Sequence, residues 1–194
     1  YDATNPDLSA FADRGGKLIL WHGWADQHIS PLNTIAYHQA VQVQMGQSKA
    51  ESFERLYLLP GVYHCGGGEG PSLLDLLTPM MSWVEKGQAP AAIVTLQASS
   101  KQAAASEFGA PTNLPGQATA DKKPSMAAPR PVTHDPANEG RTRLVFPYPD
   151  VAVYDGKGEV KSADSYVRSQ SAVDEKTPQW LGSDFFTPYA PLQR

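Results

Sequence analysis

The chain has 194 residues, of which 41% are hydrophobic and 19% charged, with a net charge of −4 at pH 7. That composition allows a packed core, and it lacks the dense Lys/Arg stripe of a nucleic-acid or polybasic membrane-surface binder. No apolar run approaches the roughly 18 residues of a membrane-spanning helix, and no basic-then-apolar leader is visible. The single cysteine, Cys65, rules out an internal disulfide framework and a multi-thiolate zinc site. The chain opens on Tyr1 rather than Met; with the lone cysteine, this sets the expectation that something upstream is absent.

The first strong signal is Lys17-Leu18-Ile19-Leu20-Trp21-His22, a short apolar run between Gly15-Gly16 and Gly23. It does not alternate, so it reads as a buried strand with a parallel neighbour. Ser30-Pro31 follows as an N-cap with proline at the first helical position. Leu32, Ile35, Ala36, Ala40 and Val43 then recur at helical spacing up to Gly46. Phe53 to Leu59 predicts a second strand, ended by Pro60-Gly61. Strand, helix and strand together imply a right-handed crossover and parallel pairing. Thr78-Pro79 predicts the start of another helix, carrying Met80, Met81 and Val84 and closed by Gly87. Leu73, Leu74, Leu76 and Leu77 are expected to form a helical turn before it or a kinked extension of it.

Eleven of the 17 prolines lie after residue 110. Residues 97–140 are rich in Ala, Ser, Pro and Gly, with too little apolar surface to offset ordering entropy, and read as an irregular or flexible segment. Residues 141–194 read as an extended segment that packs on the body. In it, Arg143 to Pro149 and Val151 to Tyr154 suggest proline-limited edge structure, followed by a Gly156-Lys157-Gly158 turn. The tail holds Tyr166, Trp180, Phe185, Phe186 and Tyr189. The fold class is α/β, with a mostly parallel sheet.

Functional residues of open α/β sheets sit on loops beyond the carboxyl ends of parallel strands. Two such loops are readable: His22-Gly23-Trp24-Ala25-Asp26-Gln27-His28-Ile29, and Pro60-Gly61-Val62-Tyr63-His64-Cys65-Gly66-Gly67-Gly68-Glu69-Gly70. An acid, Asp26, follows one strand and a histidine, His64, follows the next, which is the second part of a Ser…Asp…His order. An imidazole can take a serine's proton, and a carboxylate fixes its tautomer and stabilises the imidazolium. Taken singly, Asp26 reads equally as a turn or capping residue and His64 as a hydrogen-bonded loop residue. Trp24 and Tyr63 flank the pair and are candidates to touch an aromatic substrate, with ordinary packing as the alternative.

The same two loops, together with Trp83-Val84-Glu85-Lys86-Gly87 and Pro147-Tyr148-Pro149…Tyr154-Asp155-Gly156-Lys157-Gly158, resemble the C-terminal part of the tannase/feruloyl esterase family. The resemblance covers about residues 7–96 and 141–168, and His-Cys-Gly-Gly-Gly is its most specific motif. It implies an α/β-hydrolase, with residues 1–96 as the C-terminal part of the catalytic domain. It implies cleavage of esters of aromatic acids such as ferulate or gallate, small molecules that are in some cases attached to polysaccharide or tannin. The family's catalytic acid matches Asp26 and its histidine matches His64. Its cysteine after that histidine matches Cys65, whose partner directly precedes the nucleophilic serine.

On this reading the serine, oxyanion hole and lid are expected upstream of Tyr1. None of the serines present sits in a Gly-x-Ser-x-Gly or Cys-Ser context. The family's lid often holds a calcium ion, and nothing in this chain would supply that site; no cofactor and no metal are expected here. A secreted or periplasmic location follows from the expected disulfide. Two features depart from the family. Phe146 and Arg168 stand near the places of a C-terminal cysteine pair, and residues 97–140 look longer than the family needs.

Rival sites are weaker. Cys65 as nucleophile with His64 as base fails because adjacent side chains on an extended segment point apart. A zinc site from His22, Asp26, His28 and His64 fits no familiar ligand spacing; the simpler reading makes His22 and His28 polar loop residues at the site mouth. Gly66-Gly67-Gly68 lacks the Lys-Ser/Thr of a phosphate loop and instead permits a tight backbone beside His64. From a different class, the chain could be a non-catalytic phenolic- or glycan-binding module on a hydrolase half-fold.

Overall fold

A computed structural model describes residues 4–64, 66–97 and 136–171. A short helix, α1 (Ser9–Ala12), precedes strand β1 (Leu18–Gly23). Helices α2 (Pro31–Met45) and α3 (Gln47–Phe53) then lead into β2 (Glu54–Leu59). β1 and β2 pair in parallel, from Leu18 opposite Glu54 to Gly23 opposite Leu59, so their carboxyl ends finish level. β2 is the more deeply buried of the two, with Leu56, Tyr57 and Leu59 fully enclosed. A strand covered on both faces carries a near-continuous apolar sequence, which is why the run was legible.

Ser30 caps α2 as expected: its hydroxyl accepts from the Leu32 N–H at 3.3 Å, and Pro31 occupies the first turn. The buried face of α2 is Ile35, Ala36, His38 and Val41. Val43, expected on that face, is 87% exposed. Two residues beyond Val41 is more than half a helical turn, which places it on the opposite side. Phe53, expected to open the second strand, instead ends α3. It joins Val41 and Ala50 in a buried cluster and meets the Phe11 ring edge-on at 6.2 Å. The polar sequence of α3 gives only Ala50 and Phe53 to the core, too little periodicity to announce a helix.

Beyond the crossover the pairing changes. Leu73–Leu74 is strand β3, not the helical turn expected there. At the start of the next helix, Asp75 Oδ1 accepts from the Leu77 and Thr78 N–H groups, both at 3.0 Å. Helix α4 runs Leu77–Lys86, with Pro79 in its first turn, where the missing N–H costs no helical bond. Gly87 closes it in the left-handed region at φ 68°, as its place after the last turn predicts. β4 (Ile93–Leu96), which the sequence pattern did not reveal, pairs antiparallel with β3 and with β5 (Thr142–Val145). β6 (Asp150–Tyr154) and β7 (Tyr166–Gln170) form an antiparallel pair.

The α/β class holds, but the expected mostly parallel sheet is confined among the described residues to β1–β2. The α2–α3 crossover brings the chain back parallel to β1, whereas β3 and β4 pair antiparallel although α4 lies between them. Beside β2, the Tyr148 N–H donates to the Leu56 carbonyl at 2.8 Å, and Tyr57 bridges Pro147. Prolines 147 and 149 donate nothing, so this junction stays a single bridge. Around it Tyr57, Leu59, Val62, Ile93 and Val145 form the main core cluster. The aromatic tail beyond residue 171 and most of 97–140 lie outside the described residues.

Leu59→Ala should destabilise the fold by about 2–5 kcal/mol, while the exposed Val43→Ala should change it by less than about 0.5 kcal/mol. Urea unfolding of both variants measures the contrast.

Candidate active site

The loops after β1 and β2 are laced together by backbone. The Trp24 N–H donates to the Leu59 carbonyl at 2.8 Å, and the Ala25 N–H to the Val62 carbonyl at 3.0 Å. This approach requires glycine at position 23, since a Cβ there would lie 2.4 Å from the Val62 oxygen and 2.6 Å from the Tyr63 oxygen. The second loop turns back on itself, with Val62 bridging Gly68 and the Tyr63 N–H donating to the Gly67 carbonyl at 3.3 Å. Gly68 has φ +90°, and a Cβ on it would meet the Gly61 oxygen at 2.3 Å. The glycines after His64 therefore serve a tight reversal, as their sequence suggested.

At this junction Asp26 is surrounded by N–H donors. Oδ1 accepts from the backbone N–H groups of His28 at 2.8 Å and Ile29 at 2.9 Å. Oδ2 faces His64 Nδ1 at 2.8 Å and His22 Nε2 at 3.1 Å. The Asp26 side chain is only 3% exposed. Burial alone would raise its pKa. The Ile29 N–H, the His64 hydrogen bond and charge, and the His28 N–H outweigh that, and hold the carboxyl well below the usual carboxylate range. An ionised Asp26 can only accept, so His64 carries its proton on Nδ1. That leaves Nε2 as the acceptor nitrogen, on a side chain 37% exposed. The His28 ring stands edge-on to the His64 ring at 5.4 Å.

The structure thus brings together Asp26 and His64, the two residues singled out as acid and base. Cys65 lies outside the described residues. Trp24 lines a cavity of about 510 Å³ with Leu58, Pro60, Arg143, Tyr148 and Tyr166, and neither Tyr63, Asp26 nor His64 lines it. Tyr63 instead lies against Gly68. His22 is not a loop residue at the mouth: it belongs to β1 and its side chain is 12% exposed. Its part in the site was missed, although two sequence signals were available. His22 lies on the strand face opposite Trp21, and it stands four residues before Asp26. Among the described residues no group of three or more His, Cys, Asp or Glu side chains could hold a metal ion.

The model of the family described as tannase and feruloyl esterase matches residues 1–169. The chain belongs to the tannase and feruloyl esterase family. It is 35% identical over 166 residues to a mono(2-hydroxyethyl) terephthalate hydrolase of Piscinibacter sakaiensis, covering 86% of this chain and 22% of that protein. It is 49% identical over 90 residues to a probable feruloyl esterase of Arthroderma benhamiae, covering 45% of this chain and 17% of that protein. Among solved structures, an esterase from Aspergillus oryzae superposes with a TM-score of 0.59 at 25% identity, over 85% of this chain and 29% of that one. The chain therefore spans under a third of the length of these tannase-family relatives. No helix among the described residues is long and apolar enough to cross a membrane.

The depressed Asp26 pKa has a consequence for acid stability. A carboxyl whose pKa is lower folded than unfolded stabilises the fold fully above its unfolded value, near 3.9, and loses that contribution as pH falls further. The melting-temperature gap between the wild type and Asp26→Asn should therefore narrow as pH drops below about 4. Gly23→Ala should separate the two loops and lower stability by about 1–3 kcal/mol, measurable by the same melts.

Proposed function

We propose that this chain carries the acid and base of a serine carboxylic ester hydrolase acting on esters of aromatic acids. The observation that carries the reading is the 2.8 Å hydrogen bond from His64 Nδ1 to Asp26 Oδ2, at adjacent carboxyl ends of parallel strands. The nucleophile in this reading is a serine from another part of the whole protein, and residues 1–96 form the C-terminal part of an α/β-hydrolase domain.

The steps follow from the tautomer. His64 Nε2 accepts the serine proton as the oxygen attacks the ester carbonyl carbon. The tetrahedral species collapses, the bond to the alcohol oxygen breaks, and His64 returns the proton to that oxygen. Water then adds to the acyl-enzyme while giving a proton to Nε2. The acid is released and the serine recovers its hydrogen. Asp26 holds the ring and balances the imidazolium charge throughout. All of these proton transfers are assigned to side chains, with no cofactor.

The relatives' names bear on the substrate: one acts on mono(2-hydroxyethyl) terephthalate and another is a probable feruloyl esterase. Both names denote esters of planar aromatic acids. The family's pairing of the cysteine at position 65 would need an oxidising compartment, so a secreted or periplasmic location goes with the reading.

The test is steady-state kinetics of the whole protein on methyl ferulate, methyl gallate and mono(2-hydroxyethyl) terephthalate. At least one should be hydrolysed. Asp26→Asn should lower kcat by about 10⁴-fold and His64→Ala by a comparable or larger factor. The 194-residue chain alone should turn over none of the three. Binding of these esters without hydrolysis by the whole protein, or full activity of His64→Ala, would contradict the reading and favour a phenolic-binding module.

A further inference from the structure

His22 enters none of the steps above, yet both of its nitrogens are committed at the site. Nε2 lies 3.1 Å from Asp26 Oδ2 and 3.1 Å from the Ile29 carbonyl oxygen. Nδ1 lies 2.7 Å from the Thr34 hydroxyl. A carboxylate and a carbonyl only accept, so the hydrogen is on Nε2 and is shared between them. The Thr34 hydroxyl, in the first turns of α2, then donates to the Nδ1 lone pair. With both nitrogens engaged, this imidazole has no free lone pair to accept a serine's proton.

The neighbouring carboxylate shows what the ring is placed to do. The His28 and Ile29 N–H groups pin Oδ1 alone, which leaves the carboxylate free to swing Oδ2 about that anchor. His22 removes this freedom. It approaches from a paired strand, is itself fixed by α2, and donates to the same oxygen that receives the His64 Nδ1–H. We propose that His22 is a positioning residue, locking Asp26 Oδ2 onto His64, with the Thr34 hydroxyl holding the His22 ring from its other side. The inference rests on the reading of Asp26 and His64 as acid and base, and it adds a second imidazole that acts only through Asp26.

The experiment uses the whole protein with an ester that the wild type hydrolyses. His22→Leu should lower kcat by about 10- to 100-fold, the range seen when the outer partner of a functional ligand is removed. KM should stay unchanged, because the bond matters in the transition state rather than in substrate binding. His22→Gln places an amide N–H where Nε2 stood and should recover most of that loss. The downfield proton resonance of the His64 Nδ1–H should persist in His22→Gln and broaden or move upfield in His22→Leu. If His22→Leu does not fold, Thr34→Val decides. A lower kcat at unchanged KM supports the inference, and a wild-type kcat overturns it.

Wild-type kcat in His22→Leu would overturn the positioning role. So would equal impairment of the Leu and Gln variants alongside a matching loss of melting temperature, which would make the role merely structural. His64→Ala run in parallel separates the two ideas. If it abolishes turnover while His22→Leu does not, only the His22 inference fails. If it leaves turnover intact, the acid–base reading fails and His22 falls with it.

Discussion

The site depends on how closely two backbone segments can pass. Where β1 ends, Gly23 lies so near the Val62 and Tyr63 carbonyls that a single Cβ would overlap them. This approach continues the parallel ladder past the last paired residues through the Trp24 and Ala25 N–H groups. It sets Asp26 and His64, 38 residues apart in sequence, at 2.8 Å. Parallel strands end at the same level, so two short loops leaving them can share one small region without any long excursion. The catalytic geometry proposed for this family member is a local result of strand register.

Burying a carboxylate in such a junction is costly unless every oxygen is satisfied. Here four N–H groups converge on Asp26, two from backbone and two from imidazoles. The pull of the Ile29, His64 and His28 N–H groups outweighs desolvation and keeps the group ionised. An ionised Asp26 in turn fixes the His64 tautomer, and that leaves Nε2 as the basic nitrogen. Backbone turn, carboxylate charge and imidazole tautomer are thus three consequences of one arrangement.

What the sequence revealed follows from which signals are local. The apolar run Leu18 to Trp21, the Ser30-Pro31 cap, the Gly87 stop and the glycines after His64 each act within a few residues, and each corresponds to the structure. Elements that depend on distant partners were not legible. Leu73-Leu74 gives no local sign of being a strand, because its identity comes from Leu96 and Thr95 across the pair. Val43 follows a helical repeat, yet the packed face is chosen by α2's neighbours and passes through His38 and Val41 instead. His22 was read both as the end of the first strand run and as the start of the polar loop, and the ladder runs through it to Gly23. Asp26 and His64 were visible as strand-end residues, but Thr34, which holds His22, becomes apparent only once α2 is packed.

The most direct measurement is a crystal structure of the whole protein after reaction with a fluorophosphonate that labels its nucleophilic serine. The account predicts His64 Nε2 within hydrogen-bond reach, about 3 Å, of the serine oxygen or a phosphonyl oxygen, with Nδ1 still on Asp26 Oδ2. A labelled serine out of reach of His64, or a His64 ring turned away from Asp26, would contradict it.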